Sequence, residues 1–208
     1  MLKKPDSDYD RARQMVAQEA ARLIVEQGMR DYRAAKLKAA ERLGLDNRGS
    51  LPGNAEIEQA VAEHHKLFGG EEHVEYLAAM RTIALSAMQV LAEFEPRLVG
   101  PVLNGTADDH SAVNIHVFAD SPETVAFSLA DSRIRYRSYE RRLKSRRGQI
   151  ETYAGFSFRH EDGAVEAMVE ATVFPFDGLR QAPISPIDGR PMRRADRKAV
   201  NRLLAGAD

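Results

Sequence analysis

Gly105 and Thr106 follow an apolar run at a tight turn in "PVLNGTADDHSAVNIHVFAD", Pro101 to Asp120. A small residue at such a turn lets backbone N–H groups approach phosphate oxygens, and a threonine hydroxyl adds a donor. A few residues later, "VNIHV" alternates apolar and polar side chains, so Asn114 and His116 are expected on one face of a strand. Metal-dependent phosphoryl chemistry places carboxylates at alternate positions of this kind. Asn and neutral His can ligate a metal, but without the charge that a hard ion such as Mg²⁺ favours. The same residues also fit a plain hairpin carrying two polar groups on a solvated sheet face.

A second concentration of reactive groups is "RIRYRSYERRLKSRR", Arg133 to Arg147. Alternation predicts Arg133, Arg135 and Arg137 along one strand face, with Arg141, Arg142 and Lys144 following and Tyr136 and Tyr139 between them. Guanidinium groups bind phosphate bidentately, whether of a nucleotide or of an RNA backbone. A basic edge strand that resists sheet-to-sheet aggregation reads equally from the same residues. In "PISPIDGRPMRR", Pro183 to Arg194, Pro186 and Pro191 stiffen a loop that offers Asp188, Arg190 and Arg193 to a ligand, or that serves only as a connector. His64, His65 and His73 lack a zinc-binding His-Glu-x-x-His pattern and read as solvated helix histidines. His110 beside Asp108 and Asp109 is loop polarity or a weak cation cluster. "DYRAAKLKAAERLGL", Asp31 to Leu45, reads as a packing helix with a charged outer face rather than a DNA reader.

The elements that must position these groups change character along the chain. Ala12, Val16, Ala20, Leu23 and Ile24 recur at helical spacing and predict a helix over about 6–27, capped by Asp6, Ser7 or Asp8. Gly28 separates it from a second helix over about 30–43, and "DNRGSLPGN" (Asp46 to Asn54) is the first loop. A third helix runs to Gly69-Gly70 and a fourth covers about 72–94. The period then becomes two. Strands are expected over Leu98–Leu103, Ala112–Phe118 and Ile134–Leu143, with a short helix between the last two that starts at Ser121-Pro122. "EDG", Glu161 to Gly163, joins two more strands as a hairpin. A Pro/Gly-rich loop, Phe174 to Met192, leads to a last helix over about 194–204.

The 208 residues are 43% hydrophobic, enough for one large domain or two small ones, and Lys+Arg (30) nearly balances Asp+Glu (31). A protein coating nucleic acid over its whole surface is disfavoured, though a local basic patch is not. With no cysteine there is no disulfide, thiolate metal site or Cys nucleophile. No apolar signal core opens the chain and no run approaches the ~18 apolar residues of a membrane span, so a soluble cytoplasmic protein is expected, without a membrane partner.

The order of apolar strand, Gly-containing turn and alternating strand resembles the nucleotidyltransferase superfamily, in its kanamycin-type and minimal members. "LNGT", Leu103 to Thr106, is similar to the first signature element and "SAVNIHVF", Ser111 to Phe118, to the second. The chain also resembles a set of uncharacterised bacterial proteins of about this length, with motifs like "LVGPVLNGTA" and "SPIDGRPM". The resemblance implies two carboxylates at alternate positions of the second strand, holding Mg²⁺ or Mn²⁺ against a triphosphate. Here the positions are Ala112 with Asn114, or Asn114 with His116, and neither pair contains a carboxylate. The third carboxylate of the pattern maps to Glu166 or Glu170. The expectation is therefore an α+β protein: a helical region, 1–95, followed by a nucleotidyltransferase-like mixed β-sheet domain with flanking helices, 96–208. It would bind a nucleotide or phosphate through Gly105, Thr106, Arg135, Arg137 and Arg190, with Asn114, His116, Glu166 and Glu170 in the catalytic positions, as a pseudoenzyme without efficient transfer. The alternative is a non-enzymatic RNA-binding or protein-interaction module using Arg133–Arg147.

Overall fold

A computed structural model describes residues 7–29, 31–45, 51–146 and 148–206. The cap expected at Asp6, the side chains of Ser7 and Asp8, Arg30, most of the loop at 46–54 and Arg147 lie outside the described residues. The chain is mixed α+β and divides into two compact units. One runs to His73 and takes in Pro186–Asp188; the other comprises Val74–Ser185 and the residues from Gly189 onward.

The first unit is helical: α1 (Ser7–Gln27), α2 (Tyr32–Arg42) and α3 (Asn54–Phe68). Its core is built from small and branched side chains, among them Val16, Ala20, Leu23, Ala35, Ala39, Ile57 and Val61. The alanines let the helices approach closely. Asp31 caps α2 by accepting from the N–H groups of Arg33 (2.8 Å) and Ala34 (3.3 Å). His65 is buried, contrary to the solvated reading, and its ring stacks on that of His73 at 3.9 Å and an interplanar angle of 3°.

α4 (Gly70–Val90) begins in the first unit, but its apolar residues Met80, Ile83, Ala84, Ala87 and Met88 belong to the core of the second. The division at residues 73 and 74 therefore falls inside the expected helical region rather than at its end, because α4 covers the sheet. The second unit continues with β1 (Arg97–Val99), α5 (Pro101–Asn104), β2 (Val113–Phe118), α6 (Pro122–Asp131), β3 (Tyr136–Lys144), β4 (Ile150–Asp162), β5 (Val165–Phe174) and α7 (Arg197–Leu204). The five strands form one mixed sheet in the order β1-β2-β5-β4-β3, with β2 and β5 parallel and the other neighbours antiparallel.

Alternation assigns the two faces. Val113, Ile115, Val117, Val169, Ala171, Phe156 and Phe158 join α4, α6 and α7 in the core on the first face. Asn114, His116 and Phe118 point to the second. The strand expected over Leu98–Leu103 stops at Val99. Gly100 takes φ 73°, and Pro101, with no N–H for a ladder and φ preset near the helical value, opens α5. The strand expected from Ile134 starts at Tyr136: Arg133 closes α6 at φ 58°, with its N–H donating to the Ala130 carbonyl (2.9 Å). The hairpin holds as expected, with Asp162 opposite Val165 around Gly163. Among the described residues no helix is long and apolar enough to cross a membrane.

Candidate functional site

Cross-strand register places the second-face residues in rows. Val99, Asn114, Glu170, Ser157 and Arg137 lie in one row, and Arg97, His116, Thr172, Gly155 and Tyr139 in the next. Phe118 pairs with Phe174, and Arg141 with Tyr153, in the third. Two interlocked clusters occupy these rows.

The first centres on Arg141. From β3 its guanidinium reaches over the Tyr139 ring (5.3 Å to the centroid) to residues of β2 and β5, beyond the adjacent β4. It donates through Nη1 to Asn114 Oδ1 at 2.9 Å and through Nη2 to Glu170 Oε2 at 2.5 Å. Asn114 Nδ2 in turn donates to the Ala112 carbonyl at 3.0 Å, which fixes the amide orientation. Arg141 and Glu170 remain 31% and 30% exposed, so the pair is half-buried. An arginine has five N–H donors; these bonds use two and leave three for a ligand. Tyr139 lies flat over Gly155, and its hydroxyl meets Thr172 Oγ1 at 2.8 Å. A Cβ on Gly155 would stand 2.3 Å from the Tyr139 ring, so the close approach requires glycine.

The second cluster centres on His116, which is 1% exposed. Arg194 Nε donates to His116 Nδ1 at 3.0 Å, and Arg194 Nη1 to the Gly178 carbonyl at 2.6 Å. Accepting at Nδ1 leaves the imidazole proton on Nε2. The Arg194 guanidinium also lies 5.0 Å from the ring centres of both Phe118 and Phe174. Burial, reinforced by Arg194 and Arg141, holds the His116 pKa well below the usual 6.5, so the ring is neutral. Burial and the nearby Arg97 lower Arg194 to about 10, still charged at neutral pH. A backbone bridge between Leu98 and Ala195 delivers Arg194 to this face, because Ala195 enters the core and its neighbour must point the other way.

The residues expected from sequence divide accordingly. Asn114, His116, Glu170 and Arg137 lie together on the second face. Glu166 shares that face but sits opposite Glu161 near the hairpin end, paired to Arg159 at 2.9 Å. Gly105 and Thr106 end α5, and both their N–H groups donate to the Pro101 carbonyl, at 2.8 and 3.0 Å. Gly105 neighbours Arg81 and Leu77 of α4; it is Gly100 whose Cβ position lies 3.6 Å from the Asn114 side chain. Arg135 precedes β3, so Arg133, Arg135 and Arg137 do not line one strand face. Arg190 lies exposed in the turn closed by Ser185 N–H to the Arg190 carbonyl, and Arg194 is the loop arginine that reaches the strand. Asp108 is used to hold its own loop, accepting from His110 N–H (3.0 Å) and the Ser111 hydroxyl (2.8 Å).

The donors at this face do not fit the Mg²⁺ or Mn²⁺ that the resemblance implies. Asn114 is neutral, Glu170 is bonded to a guanidinium, and His116 turns Nδ1 to another. Among the described residues no group of three or more His, Asp or Glu side chains is placed to hold a metal ion. The charge instead suits an anion: the three rows and Arg194 bring four guanidiniums, Arg97, Arg137, Arg141 and Arg194, against two carboxylates, Glu170 paired with Arg141 and Glu95 paired with Arg97 at 3.2 Å. Compared with known protein families, with curated proteins and with solved structures, the chain gives no match.

Proposed function

We propose that the sheet unit is a nucleotidyltransferase-like module that binds a nucleotide or another phosphate-bearing ligand on its second face without efficient transfer. One observation carries this reading: the Arg141 guanidinium, bonded to both Asn114 and Glu170. Register sets Asn114 beside Glu170 on parallel strands, the arrangement in which the resembling enzymes hold a metal cation against phosphate. Here the cation between them is a side chain. Its remaining donors supply the charge-assisted hydrogen bonds that phosphate oxygens accept, while Tyr139 and Tyr153 supply ring surface beside it. Transfer needs a metal-activated attacking and leaving oxygen, and this donor set provides no pair of carboxylates for that purpose. The RNA alternative has less support, because β3 sends Arg137 and Arg141 to one face and Arg142 and Lys144 to the other.

Calorimetric titration with ATP, CTP, GTP and UTP, with and without Mg²⁺ and Mn²⁺, tests the proposal. The expected result is binding of at least one nucleotide that survives metal removal and weakens about tenfold or more in Arg141→Ala. A folded protein that binds none of them ends the reading.

A further inference from the structure

We infer that the seam between α1 and α3 is a docking groove for a basic amphipathic helix of a partner protein. This inference is independent of the sheet face. A cavity of about 600 Å³ opens along the two helices, with Leu43 after α2 at one side. Its wall includes Met15, Leu67 and Phe68, which are 44%, 73% and 74% exposed. Large apolar side chains clustered in the open, at the end of a helix whose other face is buried, mark an interaction surface. The cavity continues into a second, polar one of about 360 Å³ that shares Gln18, Ala60 and Glu63 with it.

Charge selects the occupant. Arg13 pairs with Glu56, Arg22 with Glu19 and Glu26, and Arg42 with Glu19. Asp10 and Glu63, which line the polar half, have no ion-pair partner among the described residues. Five carboxylates thus face three guanidiniums along the seam. An acidic rim around an apolar floor repels RNA and anionic lipid and attracts Lys and Arg flanking an apolar stripe. From Asp10 to Glu26 the α1 axis advances about 24 Å, which matches a partner helix of about four turns. Such a helix would anchor apolar side chains at i, i+3 or i+4 and i+7 in the apolar half and place its basic residues over the carboxylates.

The test uses the full chain and a fluorescently labelled 16-residue Leu–Lys peptide, with leucines on one helical face, followed by anisotropy. Controls are a scrambled peptide of the same composition and a Leu–Glu peptide of the same pattern. The expected result is that the patterned Leu–Lys peptide binds at least about tenfold more tightly than either control. Leu67→Lys with Phe68→Lys, both at exposed positions, and separately Glu63→Lys, should each weaken it severalfold with unchanged circular dichroism. Equal binding of the scrambled or Leu–Glu peptide, or indifference to both sets of substitutions, overturns the inference. So does a groove that takes a dansylated fatty acid but not the peptide, which would make it a lipid pocket.

Discussion

At the scale of single residues, the sign of a substitution at Glu170 separates two chemistries. If the carboxylate served to hold a metal, Glu170→Gln would weaken nucleotide binding. With Arg141 as the cation, the same change keeps an acceptor for the guanidinium and removes the one negative charge beside it. Titration of Glu170→Gln should therefore show nucleotide bound about three- to tenfold more tightly. His116 makes a second prediction, through stability. Its folded-state pKa lies below the usual 6.5, so in mild acid the unfolded chain takes up a proton that the folded chain refuses. The contribution is complete above pH 6.5 and is lost as the pH falls below it. Between pH 7.5 and 5.5 this one group should therefore lower stability, seen as a lower urea midpoint. His160, lowered by burial, acts in the same direction. His116→Asn, whose side-chain oxygen can accept from Arg194, should start from lower stability and lose less of it over that interval. An unchanged slope would place the linkage elsewhere.

At the scale of elements, the sheet depends on a few enforced close approaches. Gly155 is one: Tyr139 occupies the space where a side chain would stand. Gly155→Ala should cost about 1–3 kcal/mol in denaturant unfolding, through displacement of Tyr139 and loss of its bond to Thr172. An unaffected midpoint would mean that the ring has somewhere else to go. What the sequence revealed at this scale was local. Alternation put Asn114 and His116 on one face, Gly163 marked the hairpin, and Ser121-Pro122 marked the start of α6. What stayed hidden was carried by long-range pairing. Arg141 of the edge strand β3 meets Asn114 and Glu170 only because pairing sets β2, β5, β4 and β3 side by side in one sheet, and Arg194 reaches His116 only because Ala195 pairs with Leu98. No spacing rule joins those residues. The expected strand over Leu98–Leu103 failed on a competing local signal that the sequence did contain, Gly100-Pro101, whose backbone requirements outweighed the apolar run.

At the scale of the whole molecule, each unit has its own core: one around Leu23, Ile57 and Val61, the other around Ile115, Phe158 and Ala171. Scanning calorimetry should therefore resolve two transitions. Leu23→Ala, costing about 2–5 kcal/mol, should lower only one of them, and Phe158→Ala, about 3–5 kcal/mol, only the other. A single transition moved by both substitutions would show that the cores melt as one. The unit built on the sheet also sets a covalently held cation, Arg141, between Asn114 and Glu170. A guanidinium tethered through β3 cannot be stripped by a chelator or exchanged for a competing ion. Its readiness is set once, when the strand pairs, and thereafter occupancy would follow the concentration of the ligand alone.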